Sequence, residues 1–227
     1  MSVALFDLDH TLLDGDTNNL WISYLVEQGL VPSITLDHQA RFMQLYSQQR
    51  LDIDEYLQFH LGLLSARSVT DWHPVRAAFL TEHMVPRISQ AALAVLESHH
   101  QQGHRMALVT ATHSFLADPV GQYLGLDVIA PVVEIHNDKI TGRIIGPASF
   151  REKKIARVES WLGASLVDSA HQAIFFYSDS ANDLALLQAV PLPHVVNPDA
   201  MLLDVARQNQ WPVLSWRCAL EPESSIV

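Results

Sequence analysis

The chain opens on a short apolar run, Val3-Ala4-Leu5-Phe6, which stops at Asp7-Leu8-Asp9-His10-Thr11. A continuous run without alternation predicts a strand buried on both faces of a parallel sheet. The period then changes. Over residues 17–28, Leu20, Trp21, Tyr24 and Leu25 recur at three- and four-residue spacings, which predicts an amphipathic helix. The helical period continues over 33–64, with Leu36, Ala40, Met43 and Leu45 on one side and then Ile53, Tyr56, Leu57 and Leu61. A further helix is predicted over 74–84. No strand pattern interrupts residues 17–85, so this stretch reads as an all-helical insertion.

Beyond it, strands and helices alternate. A helix over 89–102 closes at Gly103, a residue suited to a helix C-cap. Met106-Ala107-Leu108-Val109 predicts a second buried strand, ending in Thr110-Ala111-Thr112-His113. A helix over 114–124 stops at Gly125, a third strand is predicted over 127–133, and 134–145 reads as a polar hairpin. An amphipathic helix is predicted over 153–162. A fourth strand over 173–177 ends in Ser178-Asp179-Ser180-Ala181-Asn182-Asp183. A helix over 184–189, a short strand over 194–196, a helix near 199–209 and an edge strand at Val213-Leu214 complete the reading. The alternation predicts an α/β fold, a doubly wound parallel sheet with right-handed crossovers. Ligands of such sheets bind beyond the carboxyl ends of the strands. Three strand ends rich in small, hydroxyl-bearing or acidic residues should therefore converge on one site.

Composition narrows the function classes. With 227 residues the chain spans one to two domains. Charged residues make up 17% and hydrophobic ones 48%, which excludes a disordered chain. Fourteen basic residues face 25 acidic ones, a net charge of −11. That sign argues against a general nucleic-acid binder. One cysteine, Cys218, excludes a multi-cysteine metal site. The N-terminus lacks a basic segment and Asp7 interrupts its apolar run, so it does not read as a signal peptide. No apolar run approaches membrane-spanning length. The expectation is a soluble cytoplasmic protein with no nucleic-acid or membrane partner.

The strand ends carry the chemistry. Asp7 and Asp9 sit two apart, and alternate residues of an extended chain share a face. Two carboxylates there repel unless a divalent cation relieves them, and hard oxygen donors suit Mg²⁺. A lone Asp-x-Asp would equally serve as a solvated strand end or a helix cap. Asp179 and Asp183, four apart after another apolar strand, repeat the signal. Thr110 and Ala111, ahead of a helix, could cradle a phosphate with a hydroxyl and backbone N–H groups. Lys153 and Lys154 begin a helix in a chain with few lysines.

Taken in order, DLDHT, a strand-end threonine, a lysine and SDSAND resemble the haloacid dehalogenase-like superfamily of aspartate-nucleophile phosphatases. The resemblance covers about residues 3–16 and 86–200. The insertion after the first strand is similar to the helical cap of the phosphoserine-phosphatase-like branch, subfamily IB. The resemblance implies a Rossmann-like catalytic core of 1–16 and 86–227 and a helical cap of 17–85. It implies that Asp7 is a nucleophile that becomes an aspartyl-phosphate, and that Asp9 is general acid and then base. It further implies that Thr110 and Ala111 hold the phosphoryl group, with Asn182 nearby, and that Lys154 or Lys153, with the family's spacing favouring Lys154, neutralises Asp7 and the phosphate. It implies Mg²⁺ as cofactor at Asp7, Asp9 (through its main-chain carbonyl), Asp179 and Asp183, the last directly or at one remove.

The partner implied is a small phosphorylated metabolite, handled by a monomer or homodimer. Asp16 falls where phosphoserine phosphatases carry a glutamate for the substrate ammonium. A gapless count places His60 where they carry an arginine for the substrate carboxylate, with Arg50 and Arg67 nearby. An amine-bearing phosphate without a carboxylate, such as histidinol phosphate, fits that set; phosphoserine is the alternative. Two other classes share parts of the pattern. Phospho-receiver domains are about half this length and lack the DxDxT spacing, and an inactive phosphate-binding module would not need the whole acidic set. His10 stands where many members carry Gly or Ser. His113 is a candidate substrate contact, and His99-His100 reads as a solvated helix end. The five tryptophans, Trp21, Trp72, Trp161, Trp211 and Trp216, read as packing residues.

Overall fold

The run Val3–Phe6 forms strand β1 and lies in the middle of a parallel sheet. The computed structural model describes residues 2–168 and 172–218; the tail 219–227 of the expected core lies outside them. After β1 come four helices, α1 (Thr17–Glu27), α2 (Ile34–Ser47), α3 (Ile53–Leu64) and α4 (Val69–Phe79). There follow α5 (Gln90–Gln101), β2 (Arg105–Val109), α6 (Ser114–Leu124), β3 (Asp127–Ile129), β4 (Val132–His136) and β5 (Lys139–Ile145). The chain ends with α7 (Lys153–Leu162), β6 (Ile174–Ser178), α8 (Leu184–Ala189), β7 (Leu192–Val196), α9 (Ala200–Gln208) and β8 (Val213–Leu214). The parallel strands stand in the order β3-β2-β1-β6-β7-β8, and β4 and β5 form a separate antiparallel hairpin. This is the expected Rossmann-like α/β fold.

Alternation along β1 explains its unbroken apolar sequence. Ala4 and Phe6 face one side, where they pack with Trp21, Leu25, Trp72, Phe79 and Leu116. Val3 and Leu5 face the other, with Val158, Phe176, Leu187 and Leu202. Each face is buried under helices, so no position can be polar. Trp21, Leu61 and Trp72 belong to the same packed cluster as Phe6, so the helices of 17–85 share part of their core with the sheet. A smaller cluster, Phe42, Leu51, Ile53, Tyr56 and Leu57, closes against Ala148 and Phe150.

Four local readings need correction. Helix α4 starts at Val69, not at Pro74: the Ser68 side chain caps it, accepting from Asp71 N–H at 3.0 Å. Proline is favoured at a helix start, which draws the reading there, but here it sits in the second turn. The expected third strand breaks at Ala130-Pro131, because proline has no N–H for a ladder; Val132 already belongs to the hairpin. On α2 the buried residues are Thr35, Gln39 and Phe42, while Leu36 is exposed. His99 is not solvated but buried, with Nε2 2.9 Å from the Tyr177 hydroxyl and Nδ1 2.7 Å from His104 Nδ1.

Register brings the three strand ends together. Phe6 pairs with Leu108 on β2 and with Tyr177 on β6. The chain leaving β1 at Asp7 therefore runs between the loop at Thr110 and the loop at Asp179.

Candidate active site

Asp7 is buried at the end of β1 and accepts a hydrogen bond from Lys154 Nζ at 2.9 Å. Lys154 stands in the first turn of α7 and is 3% exposed, whereas Lys153 faces outward. Its ammonium also donates to Asp183 Oδ2 at 2.7 Å, and the Ser178 hydroxyl donates to that same oxygen at 2.8 Å. Asp179 Oδ1 accepts from the Thr11 hydroxyl at 3.2 Å, which ties the first motif to the last.

Two carboxylates, Asp7 and Asp183, thus share one lysine. Burial pushes Asp7 above the ordinary carboxylate range; Lys154 opposes the shift and Asp183 adds to it. Burial raises Asp179 as well, helped by the charges of Asp7 and Asp183. Burial alone would lower Lys154, but Asp183 and Asp7 outweigh it and hold the ammonium firmly charged.

Asp9 is placed differently. Its Oδ1 accepts from Thr17 N–H at 2.6 Å and its Oδ2 from the Thr112 hydroxyl at 2.8 Å. Among the described residues, no three His, Cys, Asp or Glu side chains form a metal-holding group. The reason is local: the Asp183 carboxylate is turned to Lys154 and the Asp9 carboxylate to Thr17 and Thr112.

Thr110 is buried and its Oγ1 accepts from Thr112 N–H at 3.0 Å, which leaves its own proton to donate. The helix after this loop begins only at Ser114, so residues 110–112 form a loop rather than a helix start. Ala111 lines the cavity. Asn182 lines it too, with its Oδ1 accepting from Arg151 Nε at 3.1 Å. Asp16 caps α1, accepting from Asn19 N–H at 2.7 Å, and also lines the cavity. Burial and the Asp9 charge push Asp16 up to about 7. Above the acidic floor, Met43, Tyr46, Leu51, Ile53, Tyr56 and Phe150 form an apolar and aromatic roof.

The model of the haloacid dehalogenase-like hydrolases matches residues 4–188, which include every one of these side chains. The chain belongs to that family. A histidinol-phosphatase of Neisseria meningitidis is 36% identical over 222 residues, 95% of this chain and 99% of its own. A crystal structure of a protein of unknown function from Bordetella pertussis superimposes with a TM-score of 0.86 at 35% identity, over 94% of this chain and 97% of its own. A substrate-bound phosphoserine phosphatase shares the fold, with a TM-score of 0.65 at 16% identity over 96% and 94% of the two chains. The protein is thus a phosphatase of the haloacid dehalogenase-like family.

Within this family site, several residues went unseen in the sequence. Asn18, Tyr46, Tyr56, Thr112 and Phe150 line the cavity. Tyr46 and Tyr56 follow helical spacing like any packing residue. Thr112, two residues after Thr110, repeats its hydroxyl and is the one with a readable signal. His10 lines the mouth with φ +57°, a left-handed backbone that explains why Gly suits the position elsewhere. His60 and His113 do not line the cavity. His60 lies behind Tyr56, its Nε2 3.0 Å from Gln39 Oε1, and His113 is buried with both ring nitrogens unpaired. Arg50 and Arg67 are exposed and do not line it either.

Proposed function

We propose that this phosphatase is a Mg²⁺-dependent phosphomonoesterase that works through an aspartyl-phosphate on Asp7 and acts on histidinol phosphate. One observation carries the substrate: among the described residues Lys154 is the only Lys or Arg lining the cavity, and Asp7 and Asp183 already occupy it. The carboxylate of phosphoserine would have no cation to meet and would face Asp16. An ammonium meets Asp16, and a flat imidazole suits the roof of Tyr46, Tyr56 and Phe150. The 36% identical relative named a histidinol-phosphatase supports the same reading.

The donor set fits Mg²⁺. Asp7 is a buried carboxylate raised by burial and by Asp183, Asp179 is half-buried and raised by burial and by the charges of Asp7 and Asp183, and Mg²⁺ commonly takes one or two carboxylates with other oxygens. They would hold the ion together with the Asp9 main-chain carbonyl, with Asp183 at one remove through Lys154. Bound Mg²⁺ supplies positive charge where a phosphate dianion meets the Asp7 carboxylate.

The residues divide the reaction into two displacements. Asp7 attacks phosphorus while Asp9 gives a proton to the departing oxygen. Asp9 then takes a proton from the water that hydrolyses the aspartyl-phosphate. Lys154 and the Thr110 hydroxyl stabilise the phosphoryl oxygens. In this reading residues 17–85 act as a cap over the core formed by 1–16 and 86–227. Tyr46 ties them, donating to Ser180 Oγ at 3.1 Å, and Arg151 bridges Asn182 and the Gln49 carbonyl, the latter at 2.6 Å. The enzyme works in the cytoplasm as a monomer or homodimer; among the described residues no helix is long and apolar enough to cross a membrane.

The test is steady-state hydrolysis with Mg²⁺ of histidinol phosphate against phosphoserine. A kcat/KM at least about a hundredfold higher for histidinol phosphate, roughly 2.7 kcal/mol in transition-state binding, is expected. Preference for phosphoserine overturns the substrate, and no turnover of either overturns the reading.

A further inference from the structure

Asn18 sits in the first turn of α1, is 3% exposed, and lines the cavity beside Asp16. Its Nδ2 donates to Thr112 Oγ1 at 3.2 Å. Because the Thr112 hydroxyl accepts there, its one proton points to Asp9 Oδ2, 2.8 Å away. The Thr112 backbone is fixed in turn by its N–H to Thr110 Oγ1 at 3.0 Å. Thr17 N–H holds the other Asp9 oxygen at 2.6 Å. Both oxygens of Asp9 are therefore anchored before any substrate arrives.

The direction of this chain also orients the Asn18 amide. Its NH₂ is committed to Thr112, so its Oδ1 faces elsewhere, buried and without a partner. A buried acceptor left unpaired is unfavourable and calls for an explanation. Helix capping does not supply one, since Asp16 caps α1 through Asn19.

We propose that Asn18 reads a hydrogen-bond donor on the leaving group and, through Thr112, positions the acid that protonates that same leaving group. Asn18 is a specificity-determining residue and Thr112 a positioning residue; the proposal rests on Asp9 as acid and base. In the step concerned, an Asp7 oxygen forms a bond to phosphorus as the bond from phosphorus to the leaving oxygen breaks. The electron pair of the broken bond stays on the leaving oxygen, and the Asp9 proton joins it there. The donor that fits Oδ1 is an N–H of an amino-alkyl phosphate, whose ammonium would also lie beside Asp16.

Three substrates of the Mg²⁺-loaded protein separate the roles. Histidinol phosphate has N–H donors and a poor leaving group. Butyl phosphate has the poor leaving group alone. Para-nitrophenyl phosphate releases a stable anion that needs no proton. Thr112→Val, which keeps the shape and loses the hydroxyl, should lower kcat/KM, which reports the steps up to departure of the leaving group, on both alkyl phosphates at least tenfold more than on para-nitrophenyl phosphate. Thr112→Ser should restore most of it. Asn18→Leu should show the same kcat/KM selectivity between butyl phosphate and para-nitrophenyl phosphate, and raise KM for histidinol phosphate at least tenfold more than for butyl phosphate. Asn18→Ala carries the same expectation should the leucine variant fail to fold. Equal losses on all three substrates overturn the proposal, as does a wild-type protein with no preference for an N–H-bearing phosphate over butyl phosphate. Asp9→Asn separates this from the underlying reading. If Asp9→Asn fails to discriminate alkyl from aryl substrates, the acid role itself is lost; if it discriminates and Thr112→Val does not, only the relay is lost.

Discussion

Lys154 donates to Asp7 Oδ1 at 2.9 Å while 147 positions separate the two in the chain. The contact is buried at both ends and is shared with Asp183 at 2.7 Å. One ammonium thus offsets two carboxylates directly. Lys154→Met is expected to lower kcat/KM by at least about a hundredfold. It should also destabilise the fold by about 3–5 kcal/mol, the usual cost of leaving a buried charge unpaired. Lys154→Arg should not restore activity, because a planar guanidinium does not fit a site shaped for a point charge. Denaturant melts with steady-state kinetics check both parts; a Lys154→Met protein with near-native turnover would remove the lysine from the site.

Asp7→Asn is expected to keep the fold and abolish turnover. Removing a covalent nucleophile costs several orders of magnitude in kcat. Loss of one negative charge from the crowded cluster should leave the variant at least as resistant to denaturant. Retention of turnover within about tenfold of the native protein would show that Asp7 is not the nucleophile.

Chelation should stop hydrolysis, Mg²⁺ should restore it, and Ca²⁺ should inhibit. Ca²⁺ prefers longer bonds and more ligands, which would misplace Asp7 relative to phosphorus. Mg²⁺ with beryllofluoride should raise the melting temperature, since a ligand that binds only the folded state stabilises it by mass action. Full activity in chelator would take the metal out of the reaction.

The parts of the site legible in the sequence were those set by the sheet. Asp7 and Asp179 end strands whose apolar runs announce burial on both faces, so the crossing of Thr110, Asp7 and Asp179 followed from parallel topology. Lys154 could be separated from Lys153 in the sequence only by family resemblance; its burial against Asp183 is a long-range contact that no local pattern reports. The rest was hidden by chemistry that looks ordinary. Asn18 and Thr112 are short polar residues at positions where caps and turns are common, and nothing local says that their partners lie 94 positions apart. His99 ends a polar helix, and only Tyr177 across the fold makes it a buried residue. The aromatic roof follows helical spacing, which reports that a face is turned inward but not what it faces.

Two buried histidines should contribute a pH-dependent part of the stability, opposite in sign to that of the raised carboxyls Asp7 and Asp16. His113 is buried beside Phe115, and His60, 6.3 Å away, lies among Tyr56, Phe59 and Gln39. Burial lowers His113 to about 4 and, helped by His113, lowers His60 well below its ordinary value. The unfolded chain binds a proton near pH 6.5. Below that these two histidines hold more protons in the unfolded state than in the folded one, so their contribution to stability is full above pH 6.5 and falls as pH drops toward 4. His113 alone should remove about 2 kcal/mol between pH 7 and pH 5. His113→Leu removes two unpaired ring nitrogens, so it should flatten this dependence and cost little at pH 7. Denaturant midpoints at the two pH values measure it; an identical drop in the variant would assign the effect elsewhere.

Asp16 has two tasks that a single substitution can separate. Its Oδ1 accepts from Asn19 N–H at 2.7 Å, a helix cap that asparagine would make equally well. It also lines a cavity whose only Lys or Arg is already engaged, and burial with the Asp9 charge raises it to about 7. A carboxylate in that position is unfavourable until a cation stands beside it. An incoming ammonium supplies the cation and lets Asp16 ionise. Asp16→Asn should therefore leave stability close to native. It should raise KM for amine-bearing phosphates by about ten- to a hundredfold, roughly 1.4–2.7 kcal/mol, relative to neutral phosphate esters. The two effects are read by thermal melting and by KM on matched substrates with and without the amine. A loss shared equally by both substrate classes would defeat the recognition of charge and make Asp16 a residue of the cap alone.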